Sequence, residues 1–283
     1  MTAEEVLITD VPRETFDEFG GLLANYTVGF VKPEMRQPYN DAFLAGSGTL
    51  VQIGEQHGIL TAHHVITGLP KIGKLGLVLS WDLHQFTLDA TNVAMLPLAR
   101  GPDDSRGPDL GFVALAAPDV ETIAAKKSFL NIESARKKVV ETKPDIQDGV
   151  WAIVGFLDEE TKKEPPQRGY TDVRAFRCFP IFGFVEPCYR EGSFDYYEFP
   201  FPRGEGSVAP KSFGGMSGGG LWQVPMSKRK DGQFEAEAFL LSGVAFYEVT
   251  SDKDEGTIRC HGRRSVYRKL PELLEKATSN KTA

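Results

Sequence analysis

Cysteine, histidine and long apolar runs are all scarce in this chain. Three cysteines, Cys178, Cys188 and Cys260, among 283 residues form an odd and sparse set that makes a poor disulfide framework. A reducing compartment is the simpler reading; Cys178 and Cys188, ten positions apart, would meet only across a hairpin. No Cys-x-x-Cys and no cluster of His ligands at metal-binding spacing occurs, so no zinc site is indicated and no cofactor is expected. No stretch of 18 residues is apolar enough to suggest a membrane helix. The opening MTAEEVLITDVPRETF lacks the basic and then apolar regions of a secretory signal. Positive charge is in deficit, with 32 Lys and Arg against 39 Asp and Glu and a net charge of −7. That balance gives no footprint for nucleic acid and repels anionic membranes weakly. The expectation is a soluble, cytoplasmic protein with neither nucleic acid nor membrane as a partner.

What is present reads as β-structure. Residues 1–40 are mixed and polar, with an amphipathic stretch at Phe16, Phe19, Leu22 and Leu23 and prolines at Pro33 and Pro38; they read as an N-terminal extension. From residue 43 onward, segments of five to eight residues rich in Val, Ile, Leu and Phe recur between Gly, Pro and Asp breaks. Examples are GTLVQIG, GILTAHHVI, LGFVAL, VWAIVGF and AFLLSGVAFYEV. Many short strands with turn punctuation predict a barrel or sandwich. Strand signals vanish and charge is dense over 120–145, which predicts a linker holding a short helix between halves 41–140 and 141–283. Residues 157–170 read as an exposed loop, and Asp231-Gly232 within SKRKDGQ as a hairpin turn. Residues 264–277 predict a closing helix, with Leu270, Leu273 and Leu274 on one face and Pro271 in its first turn.

Three short segments carry chemistry. The first is SFGGMSGGGLW at 212–222, where Ser217 stands among Gly215, Gly218, Gly219 and Gly220. A nucleophilic serine needs backbone that curls closely around it and two N–H groups converging on one point to hold an oxyanion. A phosphate loop is excluded because no Gly-Lys-Ser/Thr follows. The spacing Gly215, Ser217, Gly219 also fits a strand–turn–helix nucleophile elbow. The residues that follow are strand-like, and the single downstream histidine is His261. The second segment is ILTAHHVI at 59–66, an apolar lead into adjacent histidines, of which His64 is the candidate base. His57, His84 and His261 read as surface or packing residues. The third is PDLGFVAL at 108–115, where Asp109 heads an apolar strand. A carboxylate there suits the ring N–H of the histidine, although a plain turn aspartate after Pro108 fits the local sequence as well. Asp103, Asp104 and Asp119 lead into no comparable strand.

Taken together, these segments resemble the trypsin-like, chymotrypsin-fold serine peptidases over about residues 43–277. The order His64, Asp109, Ser217 is that family's order. Thr61-Ala62-His63-His64-Val65 is similar to its Thr-Ala-Ala-His-Cys, Asp109-Leu110 to its Asp-Ile/Leu-Ala-Leu-Leu, and Gly215-Met216-Ser217-Gly218-Gly219 to its Gly-Asp-Ser-Gly-Gly. The resemblance implies an all-β fold of two packed six-stranded antiparallel barrels with a C-terminal helix. It further implies a Ser-His-Asp triad in the cleft, an oxyanion hole from the N–H groups of Gly215 and Ser217, and a substrate-pairing strand at Gly243, Val244, Ala245 and Phe246. Lys211 takes the place that often floors the primary pocket in the family; a solvated loop is the alternative.

Two departures matter. Met216 replaces the aspartate that pairs with a newly cut N-terminus in zymogen-derived members, so pro-segment cleavage is not the expected switch. Val65 replaces the motif cysteine. Both agree with an intracellular protein controlled by a partner or by loop ordering. The expected function is serine endopeptidase acting on a protein or peptide substrate. A catalytically silent binding module on the same fold, or an esterase, remain the alternatives.

Overall fold

The structure is a computed structural model and describes residues 8–36, 39–79, 86–142, 144–164, 173–186, 189–203, 209–250 and 255–279. It is mostly β, with a curled antiparallel half-barrel sheet and a C-terminal helix. Helix α1 (Arg13–Ala24) is followed by strands β1 (Thr27–Arg36), β2 (Tyr39–Ile53) and β3 (Gln56–Thr61). The short helix α2 (His63–Gly68) then leads to β4 (Lys74–Val78), β5 (Phe86–Asp89), β6 (Ala94–Arg100) and β7 (Asp109–Ala114). These strands form one sheet in the order β5-β4-β1-β2-β3-β7-β6, antiparallel throughout, with the two-residue β8 (Leu130–Asn131) added parallel to β2. The connection contains helices α3 (Ala117–Ala124) and α4 (Ile132–Arg136), the latter running on through Glu141.

The second sheet is built from β9 (Val150–Phe156), β12 (Cys178–Gly183), β13 (Tyr189–Glu191), β14 (Phe194–Pro202), β15 (Gly220–Val224), β18 (Leu240–Thr250) and β19 (Glu255–His261). Its order is β12-β9-β15-β18-β19-β14-β13. Two side hairpins complete the strands, β10 (Lys162–Glu164) with β11 (Val173–Ala175) and β16 (Met226–Lys228) with β17 (Phe234–Ala236). The second of these turns at Asp231-Gly232, where the Arg229 carbonyl accepts the Gly232 N–H at 2.9 Å. The two main sheets have eight and seven strands, where six each were expected.

Apolar side chains gather in layers that follow this division. One core lies inside the first sheet (Val28, Phe30, Leu50, Ile59, Val65, Val113) and another inside the second (Trp151, Ile153, Phe199, Met216, Leu221, Ile258). A third draws on both sheets and the terminal helices, bringing Leu23, Leu60, Phe112, Val154, Trp222 and Leu270 together. Helix α5 (Leu270–Ser279) enters with Pro271 in its first turn and buries Leu270 and Leu274.

The N-terminal forty residues are more than an extension. β1 sits between β2 and β4 and pairs with both, so it is an interior strand of the first sheet. Its Pro33 obscures the strand pattern, because proline lacks the ladder N–H; it lies beyond the β4 pairing, which ends at Val31. α1 lays Phe16 against Phe182 and Phe19 against Phe239, with ring centroids at 4.6 and 5.7 Å. Leu22, expected on the apolar face, is 43% exposed, whereas Leu23 is fully buried. Cys178 and Cys260 are free thiols, and burial pushes the Cys178 thiol up to about 12; Cys188 and His84 lie outside the described residues.

Leu23→Ala is therefore expected to cost about 2–5 kcal/mol in chemical denaturation, while Leu22→Ala stays within about 0.5 kcal/mol of wild type. Equal small effects from both would mean that α1 does not belong to the core.

Candidate active site

Asp109 is the first residue of β7 and is almost fully buried. Its Oδ1 accepts the backbone N–H of His64 at 3.0 Å, and its Oδ2 meets His64 Nδ1 at 2.5 Å. The first contact caps α2, whose own Ala62 offers no side-chain cap; a carboxylate suits a helix N-terminus. The second fixes the ring. With Nδ1–H pointed at the carboxylate, Nε2 is the nitrogen left to accept a proton. His64 keeps 43% of its side chain exposed, so that nitrogen is reachable. Burial pushes the Asp109 carboxyl up, but the hydrogen bonds and charge supplied by His64 outweigh it and hold the group below the ordinary carboxylate range.

The neighbouring His63 faces the protein more than the solvent. Its Nδ1 is buried without a hydrogen-bond partner among the described residues, and burial lowers its pKa despite the Asp109 charge. Of the rival aspartates, Asp103 binds the N–H and Oγ of Ser105 and Asp104 pairs with Arg100, both on the surface.

Ser217 lies in the glycine turn that leads into β15. Gly215 and Gly218 both have φ of +90°, a region that glycine enters without strain. A Cβ on Gly218 would stand 2.0 Å from the Ser47 carbonyl oxygen and 2.2 Å from Thr61 Oγ1. The turn is clamped by Ser47 of β2. Ser47 N–H donates to the Ser217 carbonyl at 2.8 Å, and Ser47 Oγ donates to the Gly215 carbonyl at 2.7 Å while accepting the Phe156 N–H. Sequence reasoning misses this serine, since GSGT reads as any small-residue segment. Among the described residues, the N–H groups of Gly215 and Ser217 have no acceptor, whereas those of Met216, Gly218 and Gly219 are bonded to Phe213, Ala245 and Met216. Met216 is buried in the second core, so packing fills its position and no ion pair does.

The turn that carries the serine and the helix that carries the histidine flank one residue, Gly46. A Cβ on Gly46 would touch the Val65 methyls at 2.6 and 2.8 Å and the Ser217 carbonyl at 3.1 Å. The Ser217 hydroxyl itself points at the Phe246 carbonyl, 3.4 Å away, and among the described residues no hydrogen bond joins it to His64.

Two expectations about substrate contacts need correction. Gly243 and Val244 are paired with Leu221 and Gly220 of β15, Val244 also faces His261 of β19, and Ala245 bonds through both N–H and C=O to the glycine turn. Their backbone groups are used inside the sheet. The ladder toward β15 ends at Val244, Ala245 bonds to the glycine turn, and beyond it β18 continues through Phe246, Tyr247 and Glu248 paired with β19 alone among the described strands. Lys211 is exposed and does not floor a pocket. A small cavity of about 20 Å³ beside Ser217 is lined by Phe213, Met216, Ala245, Ile258 and Glu248. Glu248 is fully engaged there: one oxygen pairs with Arg203 and the other accepts the Phe213 N–H at 3.1 Å.

The second residue that the sequence hides is His261. It is fully buried at the end of β19, and its Nε2 accepts the backbone N–H of Asp109 at 3.0 Å. Burial lowers its pKa to about 4 against the pull of the Asp109 and Asp195 carboxylates. Neither the family models nor the curated proteins compared with the chain match it.

The depressed His261 pKa makes stability depend on pH. In the unfolded chain this imidazole binds its proton below about pH 6.5, but in the folded protein only below about 4. Between those values the unfolded state holds the extra proton, so stability falls as the solution is acidified, by about 3 kcal/mol in all. The Asp109 contribution is lost at lower pH, below the ordinary carboxylate range. Denaturation midpoints of wild type should fall from pH 6.5 to 4, and His261→Gln should flatten that slope; identical slopes would refute the buried neutral ring.

Proposed function

We propose that the chain is a serine hydrolase of the chymotrypsin-like type, acting as an endopeptidase, with Ser217 as nucleophile, His64 as base and Asp109 as orienting acid. The observation that carries the reading is the His64 ring held by Asp109 at 2.5 Å with its other nitrogen open, while the Ser217 turn lies across Gly46 from the same short helix. Two sheets supplying histidine and serine separately suit the two-barrel architecture of that family, with the first sheet as the His-Asp half and the second as the Ser half.

The steps follow from the groups present. Ser217 Oγ swings from the Phe246 carbonyl to His64 Nε2 and attacks the scissile carbonyl as its proton passes to the imidazole. The imidazolium rests against the Asp109 carboxylate, and the new oxyanion takes the N–H groups of Gly215 and Ser217. His64 then returns the proton to the departing amine, leaving an acyl-enzyme. A water, deprotonated by His64, releases the acid and restores Ser217. The Ser47 clamp supports a turn held ready without a cut N-terminus. The hydroxyl's present contact with Phe246 instead favours a silent module on the same fold, and labelling separates the two. A fluorophosphonate probe should label wild type stoichiometrically and label neither Ser217→Ala nor His64→Ala; an unlabelled wild type would rule the hydrolase out.

The cavity beside Ser217 narrows the substrate. A void needs about 10–15 Å³ to admit one water, so about 20 Å³ accepts a group of about methyl size. Glu248, already neutralised by Arg203, offers no free charge to a cationic side chain. Peptides with Ala before the scissile bond should be cleaved with kcat/KM at least about tenfold above those with Phe, Arg or Asp. A preference for Arg or Phe in a peptide-library digest would refute the small pocket.

A further inference from the structure

We propose that His261 is a positioning residue for the catalytic carboxylate, fixing Asp109 by accepting its backbone N–H at Nε2 across the junction of the two sheets. The inference rests on the hydrolase reading but concerns a residue outside its triad. Asp109 must place two oxygens at once, one on the His64 N–H and one on the His64 ring. Asp109 pairs with Arg100 of β6 on one flank, but the ladder with β3 reaches only as far as Gly111, so its N–H takes a partner from outside the sheet. His261 is that partner, at 3.0 Å.

The imidazole is itself held from every side. Its strand pairs with Tyr196 on one flank and Val244 on the other. Its ring packs against Phe194, Tyr196 and Phe246, with centroids at 5.7, 5.3 and 4.9 Å. The turn that follows is anchored on Asp195, whose carbonyl accepts the Gly262 N–H and whose carboxylate accepts the N–H groups of Arg264 and Ser265. Phe246 also provides the carbonyl that holds the Ser217 hydroxyl, so one aromatic cluster reaches both ends of the proton path.

The chemistry of the ring argues for more than packing. Accepting at Nε2 requires the proton on Nδ1, and Nδ1 is buried without a hydrogen-bond partner among the described residues. A phenyl ring would fill an aromatic cage without burying an unpaired N–H. The histidine is explained by the acceptor that it offers to Asp109.

The test uses the full chain with His261→Phe, which keeps the ring and loses the acceptor, and His261→Gln, whose Oε1 takes the place of Nε2. The first readout is the low-field proton resonance of His64 Nδ1–H, which needs no turnover. It should be broadened or lost in His261→Phe and kept in His261→Gln. Against a small-residue peptide, kcat per phosphonate-titrated site should fall about tenfold to a hundredfold in His261→Phe with KM within about twofold, and recover to within about threefold of wild type in His261→Gln. A wild-type resonance and kcat in His261→Phe would overturn the proposal, as would equal losses in both variants or failure of both to fold. A wild type that shows the resonance but neither labels nor cleaves would remove the hydrolase reading and leave the positioning role standing.

Discussion

Asp109 is tied to both halves of the molecule through different atoms. Its carboxylate engages His64 within the first sheet, and its N–H is held by His261 from the second. The direction of the His64 ring, and with it the nitrogen that faces solvent, depends on this double attachment. The Ser47 contacts are its counterpart in the other direction, with the first sheet holding the turn that belongs to the second. Each half thus fixes a candidate reactive element of its neighbour, and the shared core around Leu60, Val154 and Trp222 keeps the two in register.

This reciprocity accounts for the unusual residues at the site. Met216 occupies a position where a charged side chain would need a partner, and the apolar core of the second sheet receives it instead. The turn still keeps the two N–H groups of Gly215 and Ser217 clear of other acceptors among the described residues, because its carbonyls are directed toward Ser47. Order in the turn comes from tertiary hydrogen bonds and does not require an ion pair.

Part of this is legible in the sequence, and the rest is hidden for physical reasons. Ser217, His64 and Asp109 stand out because each sits in a local setting that its chemistry demands: glycines around a hydroxyl, an apolar lead before an imidazole, a strand after a carboxylate. The β-rich character and the closing helix follow from apolar periodicity and from Pro271. Ser47 and His261 are hidden because their roles exist only through contacts with residues 168 and 152 positions away. CHGRR looks locally like a polar turn, yet pairing with Tyr196 and Val244 buries its histidine completely. The substrate-pairing strand that the family resemblance implies is used inside the sheet at Gly243, Val244 and Ala245, because these residues pair with β15 and the glycine turn, contacts that local sequence does not encode. β1 escapes notice because Pro33 and nearby charges mask its alternation.

The place of His261 after the glycine turn, β15 and β18 bears on the order in which the candidate site is completed during synthesis. Asp109, His64 and Ser217 have all emerged once the glycine turn is made, but β19, which brings the imidazole that holds the Asp109 backbone, follows only after β15 and β18. A nascent chain therefore carries its hydroxyl, imidazole and carboxylate for a time without the contact that aligns them. Alignment waits for β19, so all three side chains leave the ribosome before the contact that joins the two sheets at Asp109 can form.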